Sequence, residues 1–189
     1  MYADREREME AKSSAVTQTK RLVLRRLAPE DFEAVRRIHS DPDVMAIYGG
    51  VFTEQGTRDF IQRNLDRYAK DGVSFYAMTL KDTGELIGCG GIIMQETDQG
   101  IEPEIGYQVR RDQQGRGYAT EMARGCMKYA FETLNADHVI SLIRPDNVPS
   151  RRVAEKNGLV VDREFLWREQ LHLVYRMTKF QWERLTSDD

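Results

Sequence analysis

Between a β-rich segment and an amphipathic run the chain reads Gln114-Gly115-Arg116-Gly117-Tyr118-Ala119-Thr120-Glu121. The two glycines stand two apart, after a strand pattern ending near Val109 and at the expected start of a helix near Gly115. Glycine enters left-handed backbone conformations without steric cost, so the pair permits a sharp strand-to-helix turn. The first turn of a helix leaves amide N–H groups without intrahelical partners, and the helix dipole makes that end positive. The stretch therefore predicts an anion site suited to phosphate, with Arg110, Arg111 and Arg116 adding charge around it. A nucleotide P-loop is excluded, because no Lys followed by Ser or Thr comes after the second glycine. The plainer alternative is an ordinary helix start with no ligand.

At 189 residues the chain suits one domain with a sizeable core. A net charge of −3 argues against bulk electrostatic binding, so no nucleic-acid partner is expected. Cys89 and Cys126 both lie in apolar elements, which points to a reducing compartment rather than a disulfide framework. No stretch approaches the length of a transmembrane helix, and the first residues lack the apolar core of a signal peptide. A cytoplasmic protein without membrane contact is the expectation.

Residues 1–18 are polar and read as a flexible charged tail. Arg21–Leu27 reads as a strand, and Pro29 opens a helix carrying Phe32, Val35, Ile38 and His39 at helical spacing. Asp41-Pro42-Asp43 breaks it, and Thr53 can cap a second helix bearing Phe60, Ile61, Leu65 and Tyr68. Val73–Leu80, Leu86–Met94 and Glu104–Val109 are three strands joined by tight turns, hence antiparallel. A helix over Gly115–Leu134 follows, then a strand at His138–Ile143 and a helix from Asp146 or Asn147 to Asn157-Gly158. Strands near Val160–Leu166 and Gln170–Thr178 complete the domain, 19–183, with 184–189 as a C-terminal tail.

With this order and the glycine loop in hand, residues 19–183 resemble the GNAT superfamily of acetyl-CoA-dependent N-acetyltransferases, nearest the ribosomal-protein alanine and serine N-terminal branch. Four segments carry the resemblance: Thr19–Arg25, Asp41–Met45, Glu104-Ile105-Gly106-Tyr107 running into Gly115–Glu121, and Asp146–Ser150 before Asn157-Gly158-Leu159. It implies a mixed α/β (α+β) domain, with a central, mostly antiparallel twisted sheet of about seven strands and about four flanking helices. It implies acetyl-CoA as co-substrate, with Gln114, Gly115, Arg116, Gly117, Tyr118, Ala119 and Thr120 holding its pyrophosphate. Gln108 and Val109 would pair with the pantetheine arm as a neighbouring strand does, and an amide near Gln108 could polarise the thioester carbonyl. Asn147 would cap its helix and also meet that arm.

Two positions depart from the superfamily pattern. Asp112 stands where Gln or Arg often begins the loop, and Ala154 where many members carry a tyrosine acid.

Glu104 is the candidate general base, since an attacking amine must lose a proton. Alternation puts Glu104, Gly106 and Gln108 on one strand face, with Glu104 and Gln108 roughly 13 Å apart at about 3.3 Å per residue. A solvated strand charge is the alternative. Ser150, one turn after Asn147, is the candidate acid because the resemblance implies a serine there near the CoA sulfur; a capping serine is the alternative, with water as the fallback acid. Arg152, beside Arg151 and Lys156, is a candidate contact for the 3′-phosphate, against a solvated basic face. Neither cysteine has an activating His nearby, and His39, His138 and His172 lack metal-ligand spacing, so no acyl-cysteine and no metal are expected.

The acceptor groove of this architecture would be formed by His39, Tyr48, Gly49, Gly50 and Phe52 with Trp167, Arg168, Glu169 and His172. They are aromatic and mixed in charge, without the acidic cluster a polyamine or aminoglycoside would call for. A peptide N-terminus or a small-molecule amine is expected, on a monomer or homodimer. A GNAT-like CoA-binding module without catalysis is the alternative, supported by Ala154.

Overall fold

The structure, a computed structural model, describes residues 15–187. It opens with β1 (Ala15–Gln18) paired antiparallel to β2 (Leu22–Arg26), where Leu22 and Leu24 point into the core. Then come α1 (Phe32–His39), the one-turn α2 (Pro42–Met45) and α3 (Glu54–Asp71). Asp41 caps α2 through its carboxylate, and the Thr53 hydroxyl caps α3 by accepting from the Gly56 amide. The chain continues through β3 (Phe75–Leu80), β4 (Leu86–Thr97), β5 (Gly100–Val109), α4 (Tyr118–Lys128), β6 (His138–Ile143) and α5 (Val148–Lys156). It closes with β7 (Val160–Trp167), β8 (Gln170–Thr178) and α6 (Lys179–Ser187).

All eight strands form one sheet, ordered β1-β2-β3-β4-β5-β6-β8-β7. Each adjacent pair is antiparallel except β5 and β6. Period-two alternation divides the core between the two faces. On one, Tyr76, Met78, Ile87 and Ile105 pack with Met122, Cys126 and Met127 of α4. On the other, Ala77 and Cys89 pack with Val35 and Ile38 of α1 and Phe60 and Ile61 of α3.

Several expectations are corrected. Ala15–Gln18 belongs to the sheet rather than to a tail, because Val16 packs on the core and β2 offers a free edge. This strand makes the sheet eight-stranded rather than seven; residues 1–14 lie outside the described ones. At the other end α6 extends to Ser187, so 184–187 are helical, anchored through Trp182 stacked on Phe131. The one-turn α2 and α6 bring the helices to six. The helix after the glycine loop begins at Tyr118 rather than near Gly115, and its last turn, Tyr129–Thr133, widens into a π-helix.

At the start of β5, Glu102 is 3% exposed and ties both halves of the sheet together. Its carboxylate accepts from Thr97 Oγ1 at 2.6 Å at the end of β4 and from Arg163 Nη2 at 2.5 Å on β7. The His138 ring of β6 lies 3.0 Å away.

Candidate active site

Strands β5 and β6 diverge as they run. Their pairing is registered at Glu104–Ile140, and just beyond it the Ser141 hydroxyl donates to the Ile105 carbonyl at 2.8 Å. On its other side β5 stays fully paired with β4, and the Arg110 amide donates to the Ile87 carbonyl at 2.8 Å. Alternation from that bond turns the main-chain groups of Gln108 toward β4 and those of Ile105, Tyr107 and Val109 toward the gap. The gap-side carbonyls are met by side chains: Tyr48 Oη reaches Tyr107 O at 2.9 Å and Gln114 Nε2 reaches Val109 O at 3.0 Å. The Tyr107 and Val109 amides therefore face the gap, where an extended amide-bearing chain could pair with them. The Gln108 amide does not; the main-chain role expected there moves to its two neighbours.

At the wide end of the gap stands the glycine loop. Gly115 and Gly117 have φ of +74° and +80°, left-handed values that an L side chain adopts only with strain. Gly117 caps α4 without any side-chain hydrogen bond. The first-turn amides, from Tyr118 through Thr120, are thus left to face outward as an anion cradle. Arg21 and Glu121 brace the loop: Arg21 Nε lies 2.6 Å from Glu121 Oε2, and Arg21 Nη1 donates to the Arg116 carbonyl at 3.0 Å. The Arg21 guanidinium also covers the Tyr118 ring at 4.3 Å. Asn157 Nδ2 donates to Thr120 O at 3.2 Å, tying α5 to the same turn. Loop and gap together fit a ligand with a phosphate at one end and an amide-bearing arm at the other.

Two of the three arginines expected to add charge around the loop are paired with acids. Arg110 is bound by Asp112 and Glu85, and Arg111 pairs with Asp43. Arg116 flanks the loop and Arg152 is exposed on α5.

A cleft runs through the gap to the far side of the sheet. Glu104 lies in it with Tyr48, Phe75, Ile93, Gly106, Tyr107, Asn147, Ser150, Trp167 and His172. Gly106 is needed here, since a Cβ at this position would meet the Phe75 ring at 2.7 Å. Desolvation pushes the Glu104 carboxyl up to about 7, opposed by the Leu142 backbone amide. A carboxylate so poised can accept a proton near neutrality.

Asn147 caps α5, accepting from the Ser150 amide at 3.2 Å. The Ser150 carbonyl accepts from Tyr107 Oη at 3.2 Å, which brings two hydroxyls to the start of α5. Burial pushes the Tyr107 phenol above its usual range, so it holds its proton through neutral pH. Tyr107 was missed in sequence. Alternation assigns it to the face opposite Glu104, whereas a cleft that passes between strands is lined from both faces.

Among the groove residues, Tyr48, Trp167 and His172 line the cleft, while His39 is not part of its lining. His39 is fully buried against Phe52 and Phe60, and desolvation takes its pKa down to about 4. Its Nε2 lies 3.0 Å from Gln108 Oε1, so it holds the Gln108 side chain rather than an acceptor. Cys89 and Cys126 are buried and free, and desolvation raises both thiols, Cys126 to about 12. Among the described residues no group of three His, Cys, Asp or Glu could hold a metal ion, and no helix is long and apolar enough to cross a membrane.

A family model described as an acetyltransferase (GNAT) domain matches residues 21–160, which span the loop, Glu104 and Ser150. The chain belongs to the GNAT acetyltransferase family. Uncharacterized protein YkkB of Bacillus subtilis is 37% identical over 152 residues, 80% of this chain and 87% of YkkB. YdaF of the same organism, whose name assigns it provisionally to ribosomal N-acetyltransferases, is 31% identical over 102 residues, 50% of this chain and 56% of YdaF. Aminoglycoside acetyltransferase AAC(6')-Ib, solved with ribostamycin and coenzyme A, superposes with a TM-score of 0.77 at 18% identity. That alignment covers 89% of this chain and 99% of the neighbour and shows the shared fold.

In this GNAT chain both departures from the family pattern have a visible setting. Asp112 is held by Arg110, with Nε to Oδ1 at 2.5 Å, outside the backbone cradle. Ala154 is buried in the main core, so α5 offers no hydroxyl at that position.

Proposed function

We propose that this GNAT protein transfers an acetyl group from acetyl-CoA to a primary amine by direct attack in a ternary complex. The observation that carries the reading is the placement of Glu104 where β5–β6 pairing stops, with the α4 N-terminus, which no side chain caps, at the wide end of the same gap. The first-turn amides from Tyr118 to Thr120, with Gly115, Arg116 and Gly117 shaping the turn, would hold the pyrophosphate, and exposed Arg152 could meet the 3′-phosphate. Tyr107 and Val109 amides would pair with the pantetheine arm, and Asn147 would border it. When bound, acetyl-CoA supplies the activated acetyl group.

Glu104 takes the proton that the amine loses as its nitrogen bonds to the acetyl carbon. The bond to sulfur breaks, and Ser150 or Tyr107 gives a proton to the leaving thiolate, with solvent restoring the hydroxyl. Both hydroxyls border the cleft at the start of α5. Low dielectric around Glu104 favours its neutral form, which suits a base that must hold and then release a proton. The acceptor is a protein N-terminal α-amine or a small-molecule amine, and thiol release from acetyl-CoA over a panel of both tests the reading.

One observation favours a second reading. Ala154 leaves α5 without the family's tyrosine, as in a CoA-binding or regulatory module that has lost catalysis. Tight acetyl-CoA binding by calorimetry, with no thiol release over the whole panel, would select it.

A further inference from the structure

We infer that the acceptor is a primary amine borne on an apolar or aromatic body, rather than a polycation. The inference rests on the proposed reading of the Glu104 cleft as the acceptor site and names its substrate class. Glu104 is the single carboxylate among the residues lining that cleft. Two nearby acids are committed: Glu102 is buried in its bonds to Thr97 and Arg163, and Asp146 pairs with Arg144 at 2.7 Å. Glu169, exposed on the β7–β8 turn, lies outside the lining.

Around Glu104 the walls are Ile47, Tyr48, Phe75, Ile93 and Trp167. One ammonium can meet one carboxylate here, and the carbon skeleton behind it would gain by covering apolar surface. Further positive charges on the same molecule would meet cations. Arg144 lines the cleft, and Arg168 lies over the Trp167 ring at 4.4 Å. Arg144 shares its charge with Asp146 and Arg168 is exposed, so what disfavours a polycation is chiefly the lack of a second carboxylate in the lining.

The mouth of the cleft is also built to hold an aromatic platform. Arg168 and Glu169, between β7 and β8, have φ of 50° and 63°, left-handed values for residues with side chains. That strained turn sets Trp167 edge-on to His172, with ring centroids 5.6 Å apart at 88°. His172 is itself fixed, 2.9 Å from the Gln170 carbonyl through Nδ1. A two-torsion aromatic held this way supplies contact area with little entropy to lose.

The test is calorimetric titration of the CoA-saturated protein at low ionic strength. The probes are 2-phenylethylamine, a tetrapeptide beginning with leucine, spermidine and kanamycin. At least one of the two apolar amines should bind tenfold or more tightly than either polycation, and which of them does so separates a free amine from a peptide N-terminus. Trp167→Ala should weaken that amine at least fivefold and leave CoA affinity unchanged, which also reports the fold, while Trp167→Tyr should restore most of the loss. Equal or tighter polycation binding, no response to Trp167→Ala, or no binding of any probe would overturn the inference. The two readings fail separately. An apolar amine that binds without releasing thiol from acetyl-CoA removes the transferase proposal and keeps this one, and faster turnover of kanamycin does the reverse.

Discussion

The Ser141 hydroxyl donates to the Ile105 carbonyl at 2.8 Å, one residue past the registered β5–β6 pair at Glu104 and Ile140. A side chain thus closes the last position at which the two parallel strands are joined. Beyond it, the gap-side groups of Tyr107 and Val109 have no strand partner, and the cleft begins. The candidate base stands at that junction, desolvated by its surroundings yet lining the cleft.

Glu104→Gln should lower kcat/KM roughly 10²-fold at pH 8, the size expected for loss of a general base. In the parent protein kcat/KM should climb through a titration near pH 7, as the carboxylate ionises, and the variant should lack that step. A pH–rate profile on one fixed amine decides it, and an unchanged profile removes Glu104 from the chemistry.

The same substitution should affect stability with a definite sign. The folded-state value of about 7 lies above the reference 4.5, so between these pH values the folded protein keeps a proton that the unfolded chain loses. Stability therefore falls as pH rises across that window and stays lowered above it. A shift of this size is worth about 3 kcal/mol before solvent screening, or several degrees. Glu104→Gln should melt higher than the parent at pH 8 and alike at pH 4 by thermal scan.

Tyr107→Phe and Ser150→Ala separate the two candidate donors. Whichever gives the proton to the thiolate should lower kcat by about 10-fold or more while leaving the KM for acetyl-CoA within about twofold. Equal and small losses in both would assign that proton to water. Rapid-quench kinetics, resolving chemistry from product release, provides the readout.

Arg21→Ala should act on the co-substrate alone. Arg21 reaches both Glu121 and the Arg116 carbonyl, so it holds the glycine loop without lining the amine cleft. The KM for acetyl-CoA should rise about fivefold, with the acceptor KM unchanged, as expected when a loop is less well positioned. An equal rise in both constants would contradict this division.

Arg168→Asn with Glu169→Gly should stabilise the fold. Both loop residues have positive φ, as a type I′ hairpin requires, and Asn-Gly enters that region more readily. A gain of about 0.5–1 kcal/mol, read as a rise in Tm, is the expected outcome. No gain would mean that the two side chains offset the backbone strain.

Where local chemistry decides structure, the sequence was readable. His138–Ile143 forms a strand with the expected bounds, Thr53 and Asn147 cap their helices, and Gly158 ends α5 at φ +85°. The glycine turn into α4 was legible for the same reason, since glycine spacing is local. What escaped depends on distant partners. Arg110 and Arg111 look free until folding brings Glu85 and Asp43 beside them. His39 reads as a groove residue on a helix end, but Phe52, Phe60 and Gln108 enclose it from three other segments. Ala15–Gln18 has little apolar signal and is ordered by the edge of β2.

The Glu102 knot gives this sheet the mechanics of a clothes-peg. Its spring is the cluster of Thr97, His138 and Arg163 around one buried carboxylate, and its jaws are β5 and β6, which part a few residues further along. The four residues of that joint lie outside the lining of the cleft. Substitutions at that joint should therefore alter the width of the cleft while every residue lining it stays the same.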